Sequence, residues 1–362
     1  MAGLRIAVIG AGVIGRTHIE TLARADGLGL AAIVEPGAAG ATLADDHGVP
    51  CYASVEELVA AGGIDGAVVA APNEFHLPVA RTLLEAGIPV LLEKPVAESV
   101  ASAAALIAVG ERTGVPVLVG HHRRHNAKVK AAKAVIDAGA IGELAVATVT
   151  CTLMKPAAYF DTAWRKTPGV GGPILINLIH EVDLLRHFFG EVASVQALAS
   201  HRIRGLPVED SAAALLRFER GGMATLAISD AAAGPWSWDM ASGENTARFP
   251  DYDVSTHLYG GSLGGLSLPD LKLWRHDGAL DWTVRMTPSV PPYRWADPYV
   301  AQLAHFGEVI RGASPLVGLF DASANIAVCD AIRAAAASGR PCPVDLGALG
   351  AGKAPSLQGA AR

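Results

Sequence analysis

The sequence LRIAVIG at residues 4–10 runs directly into GAGVIG at residues 10–15, and this junction decides the fold. The first stretch is an apolar, β-branched run of strand length, and the residues after the loop are compatible with a helix. In a G-x-G-x-x-G loop, Gly10 permits a tight turn, Gly12 lets the backbone approach a pyrophosphate, and Gly15 lets the helix pack closely on the strand. The helix N-terminus adds N–H donors for the phosphates. We therefore predict that a dinucleotide contacts Gly10, Gly12, Val13, Ile14 and Gly15.

A carboxylate follows this loop at the distance that a dinucleotide site requires. The apolar run Leu28–Val34 ends in Glu35, about twenty residues after Gly15. Glu35 can accept hydrogen bonds from the adenosine ribose diol, and it repels the 2′-phosphate of NADP. The next residues, Pro36, Gly37 and Ala38, offer no cation to hold that phosphate. The sequence therefore predicts NAD as the cofactor in preference to NADP.

Composition bounds the class of protein. The 362 residues are 51% hydrophobic and 18% charged, which allows two domains with sizeable cores. A net charge of −6 and the absence of a long basic run argue against a nucleic-acid partner. The longest apolar runs have strand length, so we expect no membrane span, and the chain enters its first strand without room for a signal peptide. Four scattered cysteines suit a reducing cytoplasm and predict no metal site.

The order of strand-like and helix-like segments predicts the domain organisation. Strands and helices alternate up to about residue 122, which predicts an α/β doubly wound parallel sheet. Beyond this point, long strand-like runs are joined by short turns, which predicts a separate α+β domain with a large, mainly antiparallel sheet. The predicted domains are an NAD-binding domain at 1–122 and a substrate domain at 123–345. A flexible tail rich in Gly, Ala, Ser and Pro follows at 346–362.

Polar residues follow the parallel strands at the sheet edge where ligands bind. Glu93-Lys94-Pro95 comes directly after the short strand Val90–Leu92. Lys94 can stabilise negative charge on a substrate oxygen, although a solvated surface lysine is the alternative. A cis bond before Pro95 would aim the lysine differently from a trans bond.

A second motif, GGPILINLIHEVDLL, occupies residues 171–185. Its apolar spacing predicts a helix from about Asn177 to Gly190. On this helix Asn177 and His180 share a face, as do His180 and Asp183. A neutral imidazole beside a nicotinamide is a suitable base for oxidation of a hydroxyl group. A core histidine satisfied by Asp183 is the alternative.

In combination, these motifs resemble the glucose-fructose oxidoreductase, inositol dehydrogenase and MocA (GFO/IDH/MocA) family over roughly residues 4–345. The resemblance implies an N-terminal Rossmann domain and a C-terminal α/β domain whose sheet often mediates homo-oligomers. It also implies that Lys94 and His180 are the catalytic pair and that His122 and Arg124 reach the substrate with Asn177 and His180. The cofactor positions that it implies outside the glycine loop are Glu35, Pro72, Asn73, His76, Glu93 and Lys94.

One position departs from the family pattern. Many members carry an acid four residues before the histidine, where this chain has Ile176, and Asn177 follows one place later. An asparagine cannot carry the charge of an aspartate, so Asn177 and Asp183 are expected only to support catalysis by Lys94 and His180.

The sequence thus predicts an NAD-dependent dehydrogenase that acts on CH–OH groups of a sugar, cyclitol or related polyol. We expect a cytoplasmic homodimer or homotetramer with a small-molecule substrate. Trp236 and Trp238 are either stacking faces for a sugar ring or ordinary core aromatics. One alternative is a dehydrogenase of a cyclic dihydrodiol or a hydroxylated ring acid, whose carboxylate would meet Arg123, Arg124, Arg165 or Lys166. Two others are a non-catalytic NAD-binding regulator and an oxidoreductase that retains its nucleotide.

Overall fold

Two units make up the part of the chain that the structure, a computed structural model, describes, residues 3–350. The first comprises residues 3–122, 299–326 and 346–350, and the second comprises residues 123–298 and 327–345. Residues 299–326, which the sequence analysis assigned to the second domain, therefore pack with the first. No helix within the described residues is long and apolar enough to cross a membrane.

The first unit is built on a six-stranded sheet in which every pair of neighbours is parallel. Its strands are β1 (Leu4–Ile9), β2 (Leu28–Val34), β3 (Cys51–Tyr52), β4 (Gly66–Val69), β5 (Val90–Leu92) and β6 (Val117–Val119). Their order across the sheet is β3-β2-β1-β4-β5-β6, the order of dinucleotide-binding folds. The strands β4, β5 and β6 are buried along their whole length, because helices cover both faces of a parallel sheet.

Five helices of the first unit alternate with these strands. They are α1 (Val13–Leu22), α2 (Ala38–His47), α3 (Val55–Ala61), α4 (His76–Glu85) and α5 (Val100–Thr113). Side chains fix where they begin: Ser54 Oγ accepts a hydrogen bond from the Glu57 N–H at 3.3 Å, and Ser99 Oγ accepts one from the Ser102 N–H at 3.1 Å.

The second unit contains a nine-stranded sheet. Its strands are β7 (Leu144–Thr152), β8 (Val192–Ser200), β9 (Ser211–Phe218), β10 (Met223–Ser229), β11 (His257–Gly261), β12 (Gly264–Leu268), β13 (Lys272–His276), β14 (Met286–Ser289) and β15 (Cys342–Pro343). They lie in the order β14-β13-β12-β11-β7-β10-β9-β8-β15, and only β7 and β10 pair in parallel. The prediction of a mainly antiparallel sheet is therefore confirmed.

Helices α6 (Ala127–Asp137), α7 (Ile179–Phe189) and α8 (Trp238–Ala241) belong to the second unit. Asn126 caps the start of α6, since its Oδ1 accepts a hydrogen bond from the Lys128 N–H at 2.7 Å. The helix expected from about Asn177 differs from the prediction. Residues 174–178 form a π-helical turn, and the regular helix α7 starts only after it.

The chain ends with α9 (Pro298–Ile310) and α10 (Leu319–Ser338). Leu303 and Phe306 are fully buried in the core of the first unit, against Ile6 and Val68 of its sheet. This apolar packing explains why the segment joins the first unit rather than the second. Residues 347–349, which the sequence analysis placed in a flexible tail, form a 3₁₀ turn with Leu349 buried. Residues 351–362 of that predicted tail lie outside the described residues.

Candidate active site

The glycine-rich loop joins β1 to α1, and two of its glycines are required by packing. Gly10 has φ +92°, and a Cβ atom there would lie 2.7 Å from the Ala70 carbonyl oxygen. A Cβ atom on Gly15 would lie 1.9 Å from the Gly10 carbonyl oxygen. At Gly12, in contrast, a Cβ atom would meet nothing within 4 Å. The space in front of Gly12 is therefore left open by the protein, as a pyrophosphate lying against this backbone requires.

The carboxylate predicted to hold the ribose lies beside this loop. Glu35 follows β2, and its Oε2 accepts a hydrogen bond from the Ala11 N–H at 2.6 Å. Gly40 packs against it so closely that a Cβ atom would lie 2.6 Å from the Glu35 Cβ. The half-buried acid is thus held at the loop, and the residues present fit a dinucleotide.

Lys94 follows β5 as predicted, and the Lys94–Pro95 bond is cis. The preceding Glu93 is buried, and its Oε1 lies 2.8 Å from Nε2 of the buried His18. Burial raises the pKa of the Glu93 carboxyl, but the hydrogen bond and charge of His18 outweigh it, so that the pKa lies below its usual value. Glu93 is therefore a buried anion that anchors this loop, and its expected contact with the cofactor stays a prediction.

His76 connects two loops of the first unit, and the cofactor contact that the resemblance implied for it stays a prediction. Its ring is buried, with Nδ1 2.9 Å from the Pro95 carbonyl oxygen and Nε2 2.9 Å from that of Ala71. Burial lowers its pKa despite these two carbonyl groups, which favours a neutral ring that donates only one hydrogen bond at a time. His76 thus ties the loop after β4 to the loop that carries Lys94. The preceding Pro72 is exposed and Asn73 half-buried, both at the start of a 3₁₀ turn.

His122 closes the first unit and stacks on Tyr299. The two ring centres are 4.5 Å apart and the planes lie 14° from parallel. Tyr299 also meets His18 edge-on at 5.8 Å, so the Glu93 carboxylate, His18, Tyr299 and His122 form a continuous row. Tyr299 comes from α9, far from the Rossmann motifs in sequence, and no sequence signal marked it.

In the second unit, the π-helical turn leads directly into His180. His180 is 7% exposed, whereas Ile176 and Asn177 are half-buried in a segment that is otherwise buried. π-helical turns are often found at functional sites. Glu209, which the sequence analysis missed, accepts a hydrogen bond from the Ile174 N–H at 3.0 Å and so caps this turn.

The Arg124 side chain is bound to Asp183 and buried. Nε of Arg124 lies 2.9 Å from Oδ2, and Nη2 lies 2.6 Å from Oδ1. Both side chains are 4% exposed or less. This differs from the substrate contact expected of Arg124, because its guanidinium is already neutralised. It also means that any support that Asp183 gives to His180 comes from a carboxylate shared with an arginine.

Arg123 makes a second buried ion pair with the same helix. Its Nη1 donates to Glu181 Oε1 at 2.8 Å, and its Nη2 lies 3.3 Å from Asp239 Oδ2. The other Glu181 oxygen lies 2.8 Å from His257 Nε2. Burial raises the pKa of Glu181, but Arg123 and His257 outweigh this effect and lower it to about 2. The pair Arg123-Arg124 therefore anchors α7 directly after His180, through Glu181 and Asp183.

The tryptophan pair has two different environments. Trp238 is fully buried, and the Arg123 guanidinium lies 5.5 Å from its ring centre. Trp236 is 47% exposed. Trp238 is thus the core aromatic, and Trp236 keeps the surface that a ring substrate needs.

Two stretches of the chain match models of one family. Residues 4–121 match its oxidoreductase domain, described as an NAD-binding Rossmann fold, and residues 129–259 match the GFO/IDH/MocA C-terminal domain. Inositol 2-dehydrogenase 1 of Saccharopolyspora erythraea is 30% identical over 353 residues, which cover 95% of this chain and 97% of that protein.

Two further comparisons agree with this match. Inositol 2-dehydrogenase of Corynebacterium glutamicum is 34% identical over 198 residues, and the chain spans only 56% of its length. An oxidoreductase from Agrobacterium radiobacter, solved in complex with NAD⁺, L-tartaric acid and magnesium, shares the fold with a TM-score of 0.79. It is 22% identical, and the match covers 96% of this chain and 99% of that one. With its NAD-binding Rossmann domain and its family-specific C-terminal domain, the chain belongs to the GFO/IDH/MocA family of oxidoreductases.

Proposed function

We propose that the chain catalyses NAD⁺-dependent oxidation of a secondary alcohol on a sugar, cyclitol or related polyol, or the reverse reduction. The observation that carries this proposal is the open approach to Gly12 beside the fixed Glu35 carboxylate, in a domain that also presents Lys94 after β5. The relatives named inositol 2-dehydrogenase support an alcohol as the substrate.

NAD⁺, when bound, supplies the acceptor for a hydride from the carbinol carbon. In the proposed reaction His180 takes the proton of the substrate hydroxyl group, and the ammonium of Lys94 stabilises negative charge that develops on that oxygen. The C–H and O–H bonds break and a carbonyl group forms. We assign to Asn177 a hydrogen bond to a substrate hydroxyl group, because its amide makes no hydrogen bond among the described residues. We assign to Asp183, whose carboxylate is also bound to Arg124, a supporting role for His180.

The first experiment measures NAD⁺ reduction at 340 nm with a panel of sugars, cyclitols, sugar acids and ring dihydrodiols. We expect turnover with at least one secondary alcohol. An absorbance scan of the purified protein tests for retained nucleotide. Binding of NAD⁺ without turnover of any compound would favour the regulatory alternative and contradict this proposal.

The second experiment tests the base. His180→Asn should lose most turnover while it still binds NAD⁺, because the variant has no imidazole to accept the proton. In the wild type, oxidation should fall towards low pH as the imidazole becomes protonated, and the variant should lack this limb. An unchanged pH–rate profile in His180→Asn would show that the proton leaves by another route.

A further inference from the structure

Two cations lie against the Tyr159 ring in the second unit and a third acts on it through its charge, and none of the three has a carboxylate partner in the part of the chain that the structure describes. The Lys155 ammonium lies 4.9 Å from the ring centre and the Arg165 guanidinium 4.1 Å from it. The positive charge of Arg248 acts on both Tyr159 and Lys155. Among residues 3–350, no Asp or Glu oxygen lies within ion-pair distance of any of the three. We refer to Lys155, Arg165 and Arg248 as the cation cluster.

The backbone of this cluster is held firmly, although its charges are not matched. The Lys155 N–H donates to the Asp230 carbonyl oxygen at 2.8 Å, and the Lys155 carbonyl oxygen accepts from Arg204 Nη2 at 2.9 Å. Arg165 Nη1 donates to the Tyr159 carbonyl oxygen at 2.7 Å, and its Nε is buried without a hydrogen-bond partner. The Arg165 guanidinium and the backbone at Lys155 are therefore held in place, which lowers the entropic cost of binding.

The two acids whose charges act on Lys155 are already occupied. Asp230 binds Arg204 at 2.7 Å, and Asp239 binds Arg123. Burial lowers the pKa of the Lys155 ammonium, and the charges of Asp239 and Asp230 compensate only partly. Lys155 and Arg165 are half-buried like charges that repel each other, and an anionic ligand removes that cost.

The cluster borders the segment that carries His180. The Arg165 carbonyl oxygen accepts a hydrogen bond from the Gly172 N–H at 3.3 Å. A Cβ atom on Gly171 would lie 2.3 Å from the same oxygen, so only glycine permits this contact. Gly172 begins the turn that leads through the π-helical residues to His180, and its carbonyl oxygen accepts the Ile176 N–H at 3.1 Å.

We propose that the cation cluster binds a carboxylate of the substrate, so that the substrate is a hydroxy acid such as a sugar acid rather than a neutral polyol. This inference rests on the proposed dehydrogenase function and narrows its substrate class. The planar fork of Arg165 matches the geometry of a carboxylate, and Lys155 adds a point charge. Arg123 and Arg124, which the sequence suggested for this role, are taken by Glu181 and Asp183.

The test compares matched pairs of substrates, D-glucuronate with D-glucose and D-gluconate with D-glucitol, together with D-glucose 6-phosphate. The variants are Lys155→Gln, Lys155→Arg, Arg165→Gln and Arg248→Gln. Lys272→Gln serves as the control, because it removes the charge of an exposed lysine on β13 that pairs with Asp270. Turnover is followed by NAD⁺ reduction, and binding to the NAD⁺-saturated protein is measured by titration calorimetry.

We expect the acids to be preferred over their neutral parents. Lys155→Gln and Arg165→Gln should raise the KM and the Kd of the acids about 10- to 100-fold, as the loss of a charge-assisted hydrogen bond implies. Their kcat should stay within a few-fold. Lys155→Arg should recover most of the affinity, and Lys272→Gln should behave as wild type.

Each of the following results would overturn the inference. The first is no binding of either acid, and the second is an equal effect of the cluster variants on acids and on their neutral parents. The third is a dependence on Lys155 that is confined to the phosphate ester. Turnover of neutral polyols without any effect of the cluster variants would overturn the inference and leave the proposed dehydrogenase function standing. Lys155-dependent binding of an acid without NAD⁺ reduction would support the carboxylate site and contradict the proposed dehydrogenase function.

Discussion

Replacing Glu181 by glutamine should destabilise the second unit strongly, because its carboxylate is the centre of a buried network. Glu181 is fully buried between Arg123 and His257, each at 2.8 Å. Glutamine keeps the shape, but its amide group turns a donor towards one of these donors. Arg123 then keeps only the partly exposed Asp239 as a counter-ion. Breaking a buried ion pair in this way costs about 3–5 kcal/mol.

Proton linkage gives an independent magnitude. A tenfold change in proton affinity corresponds to about 1.4 kcal/mol. A pKa of Glu181 lowered from 4.5 to about 2 therefore corresponds to about 3 kcal/mol of stability at neutral pH. Because the folded pKa is the lower one, this stability is present above about pH 4.5 and is lost as the pH falls towards 2. The difference in free energy of unfolding between wild type and Glu181→Gln should therefore become smaller over the same pH range.

Urea unfolding followed by tryptophan fluorescence measures this effect in the correct unit. All six tryptophans lie in the second unit: Trp164, Trp236, Trp238, Trp274, Trp282 and Trp295. Glu219→Gln, at an exposed turn, is the matched control and should change stability by less than about 0.5 kcal/mol. Two results would refute the reasoning. One is a loss of less than about 1 kcal/mol in the free energy of unfolding of Glu181→Gln. The other is a stability difference from wild type that stays constant from pH 7 to pH 3.5.

Three further predictions test the proposed roles. Lys94→Ala should bind NAD⁺ normally but lose about 10²–10³ in turnover, and near-normal turnover on the true substrate would exclude the assigned role. Glu35→Ala should weaken NAD⁺ binding and reduce the preference for NAD⁺ over NADP⁺ by about tenfold or more. The measurement is the affinity for each nucleotide, and the exposed control Glu74→Ala should leave both affinities unchanged. The open face of the large sheet carries exposed apolar side chains such as Val146, Leu198 and Leu258, so we expect a homodimer or homotetramer that Leu198→Glu converts to monomer. A monomeric wild type in light scattering at micromolar concentration would contradict this expectation.

The first sheet was predictable because its signals are local. The strands Leu28–Val34 and Val90–Leu92 occur with the predicted bounds, since a continuous β-branched run between turn residues has few alternatives. Strand β14 (Met286–Ser289) was missed, because the sequence Met-Thr-Pro-Ser is typical of a loop. It forms a strand only by pairing with β13. The assignment of α9 to the second domain was wrong for a related reason. The apolar pattern of a helix predicts that one face is buried, but it does not identify the core against which that face packs.

The motif residues of the site were predictable, but their partners were not. Lys94 and His180 stand out in the sequence, yet nothing in it marks Glu181 as the neighbour of His257, or Asp183 as the partner of Arg124. These pairs join residues about 60 to 76 positions apart. Such contacts depend on the three-dimensional path of the chain, and they turned two expected substrate ligands into structural anchors. Lys155 was missed because a single lysine after a strand has no sequence signature.

The return of α9 to the first unit has a consequence for how the protein is made. The NAD-binding sheet is synthesised by residue 122, but Leu303 and Phe306 complete its core, and Gly66 has no Cβ because Ile310 and Phe306 fill that space. A ribosome adds about 5–20 residues per second, so roughly 10–40 s pass before the missing helix emerges. During that interval the nascent sheet carries an uncovered apolar patch, and we expect chaperones to engage it. A truncated protein that ends near residue 122 would keep this patch permanently, so any exchange of the nucleotide-binding unit between relatives must include residues 299–326.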